Sequence, residues 1–164
     1  MDAVIRPATD ADLDEILEIH NHAIRETLAI WTEIEADRAE REAWFAAHVA
    51  AGHPVLVAEI DGRVAGYGAY GSFRPKPGYR YTVENSVYVH DSFQRRGVGR
   101  LLMVELIRIA RENGIHVMMA GIEAGNTASI ALHEQLGFEP PMILREAGTK
   151  FGKWLDLALM RLQL

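Results

Sequence analysis

Apolar residues recur along this chain in two rhythms, one near 3.6 and one near 2, and the switches between them mark its elements. Ala3–Arg6 predicts a short strand. Leu13, Ile16, Leu17, His20 and Ile24 then recur at helical spacing, and Thr9 or Asp10 offers a side-chain oxygen to the free amides of the first turn. The stretch ETLAIWTE breaks that spacing. A second helix is predicted from about Asp37 to Ala51, with Trp44 and Phe45 among its apolar positions and Gly52 as its stop. VLVAEIDGRVAGYGAY predicts two strands around Asp61-Gly62, because both turn residues tolerate positive φ. GSFRPKPGYR is a loop by its prolines and glycines. YTVENSVYV, Tyr81 to Val89, is β-branched and aromatic and predicts a strand. A helix follows from Gly97 to Asn113, with Val98, Leu101, Leu102, Leu106, Ile109 and Ala110 on one side and Gly114 at its end. HVMMAGI is a buried strand. NTASIALHEQLGF is a short helix capped at Asn126 or Thr127 and stopped at Gly137, and KWLDLALMRLQL closes the chain as a long strand.

Strands thus come first as a meander and then alternate with helices. That order predicts an α/β fold: one central mixed sheet with helices on both faces. With 164 residues and no repeat, linker or low-complexity stretch, the expectation is one domain over residues 1–164.

Composition narrows the function. Apolar residues make up 49% and charged residues 24%, as in ordinary soluble proteins. No apolar run approaches the ~18 residues of a membrane span, and the N-terminus lacks the basic-then-apolar order of a signal peptide. There is no cysteine, which excludes disulfides, thiolate metal sites and a cysteine nucleophile, and points to a reducing, cytoplasmic setting. Seventeen Lys+Arg stand against 23 Asp+Glu, a net charge of -6, which argues against nucleic acid as a partner. His20 and His22 are two apart and would point in different directions on a helix, and no other histidine shows ligand spacing, so no metal is expected.

Against that acidic background the stretch SFQRRGVGRLLM gathers Arg95, Arg96 and Arg100 around Gly97 and Gly99, where a helix should begin. Bare glycines admit close approach, and the first amides of a helix are unpaired and carry partial positive charge. Together they suit a pyrophosphate. A P-loop would need G-x-x-x-x-G-K-[ST], and this stretch has no such lysine and hydroxyl. A dinucleotide fingerprint would need a third glycine, where Leu102 stands, and a position after the first strand of a βαβ unit. QRRGVG at 94–99 fits the pyrophosphate loop of acyl-CoA transferases, Q/R-x-x-G-x-G/A. A flexible helix entry with solvated arginines is the plainer reading.

From this motif outward the chain resembles the GNAT acyltransferase superfamily, and within it the phosphinothricin and methionine sulfoximine N-acetyltransferase group. YTVENSVYV, IEAGNTASIALHEQLGF and KFGKWLDLALM carry the closer likeness; AIWTE and FRPKPGYR favour the methionine sulfoximine branch. The resemblance implies acetyl-CoA as co-substrate, bound by Arg95, Arg96, Gly97, Val98, Gly99 and Arg100. It also implies contacts to the coenzyme arm from the backbone of Val87, Tyr88 and Val89, and from Asn126, Ser129 and His133. His133 stands seven residues after Asn126, where the superfamily often has a tyrosine that serves the departing thiol, and it is the candidate to protonate that thiolate or bond the arm; a packed histidine on an apolar helix is the plainer reading. Asn85 departs from a histidine usual in the group.

Glu84 is the candidate general base, because burial in an otherwise neutral strand would raise its pKa; the resemblance places the group's glutamate here too. Arg74 and Arg80 can fork onto an α-carboxylate. Phe73 and Trp31 would wall the side-chain pocket, with Pro75, Lys76, Asn85 and Ser86 completing the acceptor set. The resemblance also implies a homodimer with active sites near its two-fold axis, and places GTKFGKWLD near the amine pocket. The expected reaction is direct acetyl transfer to the α-amine of methionine sulfoximine, methionine sulfone or phosphinothricin. A different amine or a peptide N-terminus as acceptor, and a non-catalytic acyl-CoA sensor, are the alternatives.

Overall fold

The computed structural model describes residues 2–164. Seven strands form one sheet flanked by four α-helices: β1 (Val4–Pro7), α1 (Leu13–Glu26), α2 (Arg38–Ala51), β2 (Val55–Ile60), β3 (Arg63–Ser72), β4 (Thr82–Val89), α3 (Val98–Glu112), β5 (Val117–Glu123), α4 (Thr127–Gln135), β6 (Met142–Lys150) and β7 (Lys153–Gln163). The strand order is β1-β2-β3-β4-β5-β7-β6. All neighbours are antiparallel except β4 and β5, which run parallel across the α3 crossover.

The two faces carry separate cores. On one, Leu13, Ile16 and Ile19 of α1 pack against Val55, Val57, Val64 and Tyr67. On the other, Leu102, Leu106 and Ala110 of α3 pack against Ala58, Ala65, Met118 and Met160. Alternation along β3 and β4 divides their side chains between these faces. Gly66 and Gly68 bring α3 close: a methyl at Gly66 would stand 3.2 Å from Val98 Cγ1, and one at Gly68 3.2 Å from Leu106 Cδ1.

One expectation is corrected. Leu101 was expected on the packed side of α3, but it is 43% exposed; Met103 and Ile107 are buried instead. The face is set by where α3 meets the sheet, and a 3.6-residue period leaves that phase open by one position. The sequence pattern also did not predict β6. Met142–Ala147 is exposed on both of its faces, so no alternation marks it, and its pairing with β7 is interrupted between Leu144 and Gly148, where Glu146 has φ 51.

Candidate active site

β4 and β5 part after three pairs. Thr82, Val83 and Glu84 oppose Val117, Met118 and Met119, and beyond Glu84 no further pair forms. β4 stays on β3 as far as Val89, and β5 stays on β7 as far as Glu123. The sheet is therefore split. The backbone of β4 that borders the gap has no ladder partner there, in a place where an open edge invites an extended ligand. A cleft of about 1050 Å³ runs through the split and joins the two faces of the sheet.

The α3 side of the cleft presents free helix amides and arginines. Gly97 precedes α3 with φ 78, and no side chain among the described residues caps the helix. The first intrahelical bond runs from Leu101 N–H to Gly97 O at 3.1 Å, which leaves the amides of Val98, Gly99 and Arg100 free of intrahelical partners. All three residues line the cleft, as does Arg95. Arg96 does not: its guanidinium lies 5.5 Å from the Phe93 ring centroid, outside the lining. Asn126 caps α4, its Oδ1 accepting from Ser129 N–H at 3.1 Å, and both residues border the cleft.

His133 and Asn85 meet where the gap opens. Asn85 Nδ2 donates to Met119 O at 3.2 Å, across the last pair before the split. His133 is 4% exposed, and its Nδ1 lies 2.7 Å from Ser129 O. A carbonyl only accepts, so Nδ1 carries the proton. Burial pushes the imidazole pKa below its ordinary value, which favours the neutral ring. Nε2 then presents a lone pair, and it faces Asn85 Oδ1 at 3.4 Å. Two acceptors face each other at the cleft wall, a pair that a donor between them would satisfy. The two positions that depart from the resembled pattern are thus in contact.

Glu84, Ser86 and Tyr88 point to the opposite face. Tyr88 packs its ring 5.4 Å from that of Tyr67, so its side chain is part of the core while the strand backbone borders the gap. Glu84 is half-buried at the edge of the split; its Oε2 would lie 3.3 Å from a methyl on Gly121 of β5. Burial raises the Glu84 carboxyl pKa, and the charge of Arg74 partly offsets this. The facing wall is the segment after α1, Thr27 to Trp31, where the Trp31 indole N–H donates to Leu28 O at 3.0 Å.

The expected carboxylate clamp is not assembled in the cleft. Phe73, Arg74, Pro75, Lys76 and Arg80 lie outside its lining. The loop is held by its own contacts: Arg74 over the Phe73 ring at 5.0 Å, Arg80 over Tyr81 at 4.5 Å, and Arg80 Nη1 donating to Pro77 O at 3.1 Å. Arg74 reaches the site through its field on Glu84 alone.

The sequence reading missed the β5 wall, Ala120 to Glu123, and most of the segment after α1. HVMMAGI reads as a buried strand, and nothing in its pattern shows that it parts from its neighbour. Among the described residues no three metal-ligating side chains cluster. His20 turns inward to the Tyr67 hydroxyl at 3.0 Å, and His22 pairs with Asp91 at 2.8 Å.

The profile of the Acetyltransferase (GNAT) family matches residues 16–138. The chain is 51% identical over 165 residues to the L-methionine sulfoximine/L-methionine sulfone acetyltransferase of Pseudomonas paraeruginosa, covering 100% of this chain and 96% of that protein. A crystal structure of a ribosomal-protein-alanine N-acetyltransferase from Brucella melitensis aligns with a TM-score of 0.97 at 51% identity, over 98% of this chain and 99% of that one. A GNAT superfamily phosphinothricin acetyltransferase from Sinorhizobium meliloti, solved in complex with acetyl-CoA, aligns with a TM-score of 0.97 at 35% identity, over 100% and 89%. The profile runs from α1 past the end of α4, through every wall of the split, and the likeness to the relatives extends over the rest of the sequence: the chain belongs to the GNAT family of acetyltransferases.

Proposed function

We propose that this protein transfers the acetyl group of acetyl-CoA to the α-amine of an L-amino acid analogue, methionine sulfoximine, methionine sulfone or phosphinothricin, in a ternary complex. The observation that carries the reading is the split sheet, with unpaired α3 amides on one side and a pKa-raised Glu84 on the other. The coenzyme pyrophosphate meets the amides of Val98 to Arg100 with Arg95 and Arg100 beside them. Its arm lies along the unpaired edge of Val87, Tyr88 and Val89, between α3 and α4. Each charge-assisted bond there contributes roughly 1.5–3 kcal/mol. The acetyl group reaches the gap, where a β4 amide polarises its carbonyl.

The acceptor enters from the Trp31 side. An ammonium must lose a proton before it can attack, and Glu84 takes it, directly or through water. The nitrogen adds to the carbonyl carbon, the C–S bond breaks, and the second nitrogen proton ends on sulfur. The products are the N-acetyl amino acid and free coenzyme A. With no cysteine in the chain, no thioester of the enzyme intervenes. His133 bonds the arm through its Nε2 lone pair, with Asn85 Oδ1 as a second acceptor beside it. Arg74 tunes Glu84; Arg80 and the rest of its loop are at most an outer part of the acceptor site.

A homodimer is supported by the apolar surface of β6 and β7, where Met142 is 64% and Trp154 71% exposed. A cytoplasmic setting is supported by the lack of cysteine, and a small-molecule acceptor by the net charge of -6. The Brucella relative's name favours a second acceptor class, a peptide N-terminus.

The test is coenzyme A thiol release with methionine sulfone, phosphinothricin and an N-terminal alanine peptide. The proposal expects release with the amino acids. It also expects Glu84→Gln to lower kcat/KM by about 10²–10⁴. Release with the peptide alone would move the assignment to the second acceptor class. Acetyl-CoA binding without release for any amine would leave a sensor.

A further inference from the structure

The last residues of β6, at the hairpin with β7, dock on the segment carrying Trp31. A methyl built at Gly148 would fall 2.1 Å from Trp31 Cε3 and 2.2 Å from Cζ3. The Cε3–Cζ3 side of the indole therefore lies against a bare Cα. Gly148 is not among the positive-φ residues, so its backbone would accept any side chain; only the space forbids one. Two residues on, and so on the same face of the strand, Lys150 is 2% exposed and its Nζ donates to Thr27 O at 2.7 Å. Thr27 is the C-cap of α1, where a cation meets the negative end of the helix dipole. Phe151 and Gly152 turn the hairpin with φ 51 and 71, and at the bulge Glu146 N–H donates to Asp156 Oδ1 at 2.8 Å.

We propose that this hairpin is a specificity element: the missing side chain of Gly148 sets how far the Trp31 indole stands into the acceptor half of the cleft, and Lys150 fixes the segment that carries it. The inference rests on the acceptor entering from the Trp31 side, as argued above. The Cε3–Cζ3 side of the indole meets Gly148 and the residue also lines the cleft, so a group added at 148 drives the ring inward and narrows the space for an acceptor side chain. Residue 148 thus acts on acceptor size from behind the wall. It is a positioning residue and touches no reacting atom.

The experiment compares wild type, Gly148→Ala, Trp31→Phe and the double variant, with acceptors graded by side-chain size and acetyl-CoA KM as the internal control. Gly148→Ala is expected to raise KM for methionine sulfone about tenfold, to affect a small acceptor less, and to leave acetyl-CoA KM within about twofold. Trp31→Phe in the same chain is expected to restore most of the loss. An unchanged ranking of acceptors in Gly148→Ala, or a loss that Trp31→Phe does not relieve, overturns the inference. Should Gly148→Ala fail to fold, Trp31→Phe alone decides: it must widen the acceptor range, and an unaltered range counts against the proposal. Failure of the functional reading is separable. If wild type releases no coenzyme A, the Trp31 emission of Gly148→Ala, taken as the difference from its Trp31→Phe partner, still must shift from that of wild type. An unshifted emission overturns the inference there too.

Discussion

Glu84 and His133 illustrate how burial sorts ionisable side chains by role. Both are pushed towards their neutral forms. For Glu84 that raises basicity, since its conjugate acid is stabilised. The reactive form is the carboxylate, so kcat/KM should rise with pH through a limb above the ordinary carboxylate value of 4.5. For His133 the same push works against proton donation, because the imidazolium fades as pH rises through a value below 6.5. With Nδ1–H committed to Ser129 O, the neutral ring offers the cleft only a lone pair. His133→Phe is therefore expected to raise acetyl-CoA KM by about tenfold while kcat falls by less than about fivefold. A kcat loss near 10³ with KM unchanged would make His133 the proton donor to sulfur. Of these two, Glu84 was legible in the sequence as a lone carboxylate within a neutral strand. The state of His133 was not, because it depends on a carbonyl four residues back and on an asparagine 48 residues away.

Elements were legible where one face is buried. The rhythm of α1, the Asp61-Gly62 turn and the glycine before α3 each predicted their element. β6 has no buried face along most of its length, and the divergence of β4 from β5 leaves no mark in either strand's own pattern. Arg74 and Arg80 stand outside the cleft lining for a related reason: each guanidinium lies over a neighbouring ring of its own loop, and spacing from Glu84 in sequence says little about reach in space. Between elements, β1 is tied to the start of α1 by one ion pair. Asp12 is 6% exposed and accepts from both Arg6 terminal nitrogens at 2.8 Å. Removing it leaves the two-thirds covered guanidinium with Glu59 as its carboxylate partner and takes away the acceptor of Thr9 N–H, so Asp12→Ala is expected to cost about 2 kcal/mol at neutral pH, as read by urea unfolding. Arg6 holds the Asp12 carboxyl below its ordinary 3.8, so this stabilisation is complete above that value and is lost as pH falls through the lower folded-state value. The gap between wild type and variant should therefore persist at pH 5 and shrink only below about pH 4. A gap that closed at pH 5 would assign it to something other than this pair.

At the scale of the whole molecule, the described strands form one sheet whose parallel joint, β4 on β5, opens after three pairs, and the cleft sits at that joint. In the proposed reaction the α3 face supplies charge for the coenzyme and the α1 face supplies Trp31 and Glu84 for the acceptor, all of them lining the one cleft at the split. The outer strands β6 and β7 leave Met142, Ile143 and Trp154 on the surface. If these pair two copies, Trp154→Glu should convert the dimer to monomer in light scattering at micromolar concentration; an unchanged mass would place the interface elsewhere. The most direct test of the central claim is the pH profile of acceptor-dependent coenzyme A release in wild type and Glu84→Gln. The account predicts release that requires the amino acid, an ascending limb above pH 4.5 in wild type, and loss of both rate and limb in the variant. Equal rates and identical profiles in the two proteins would contradict it.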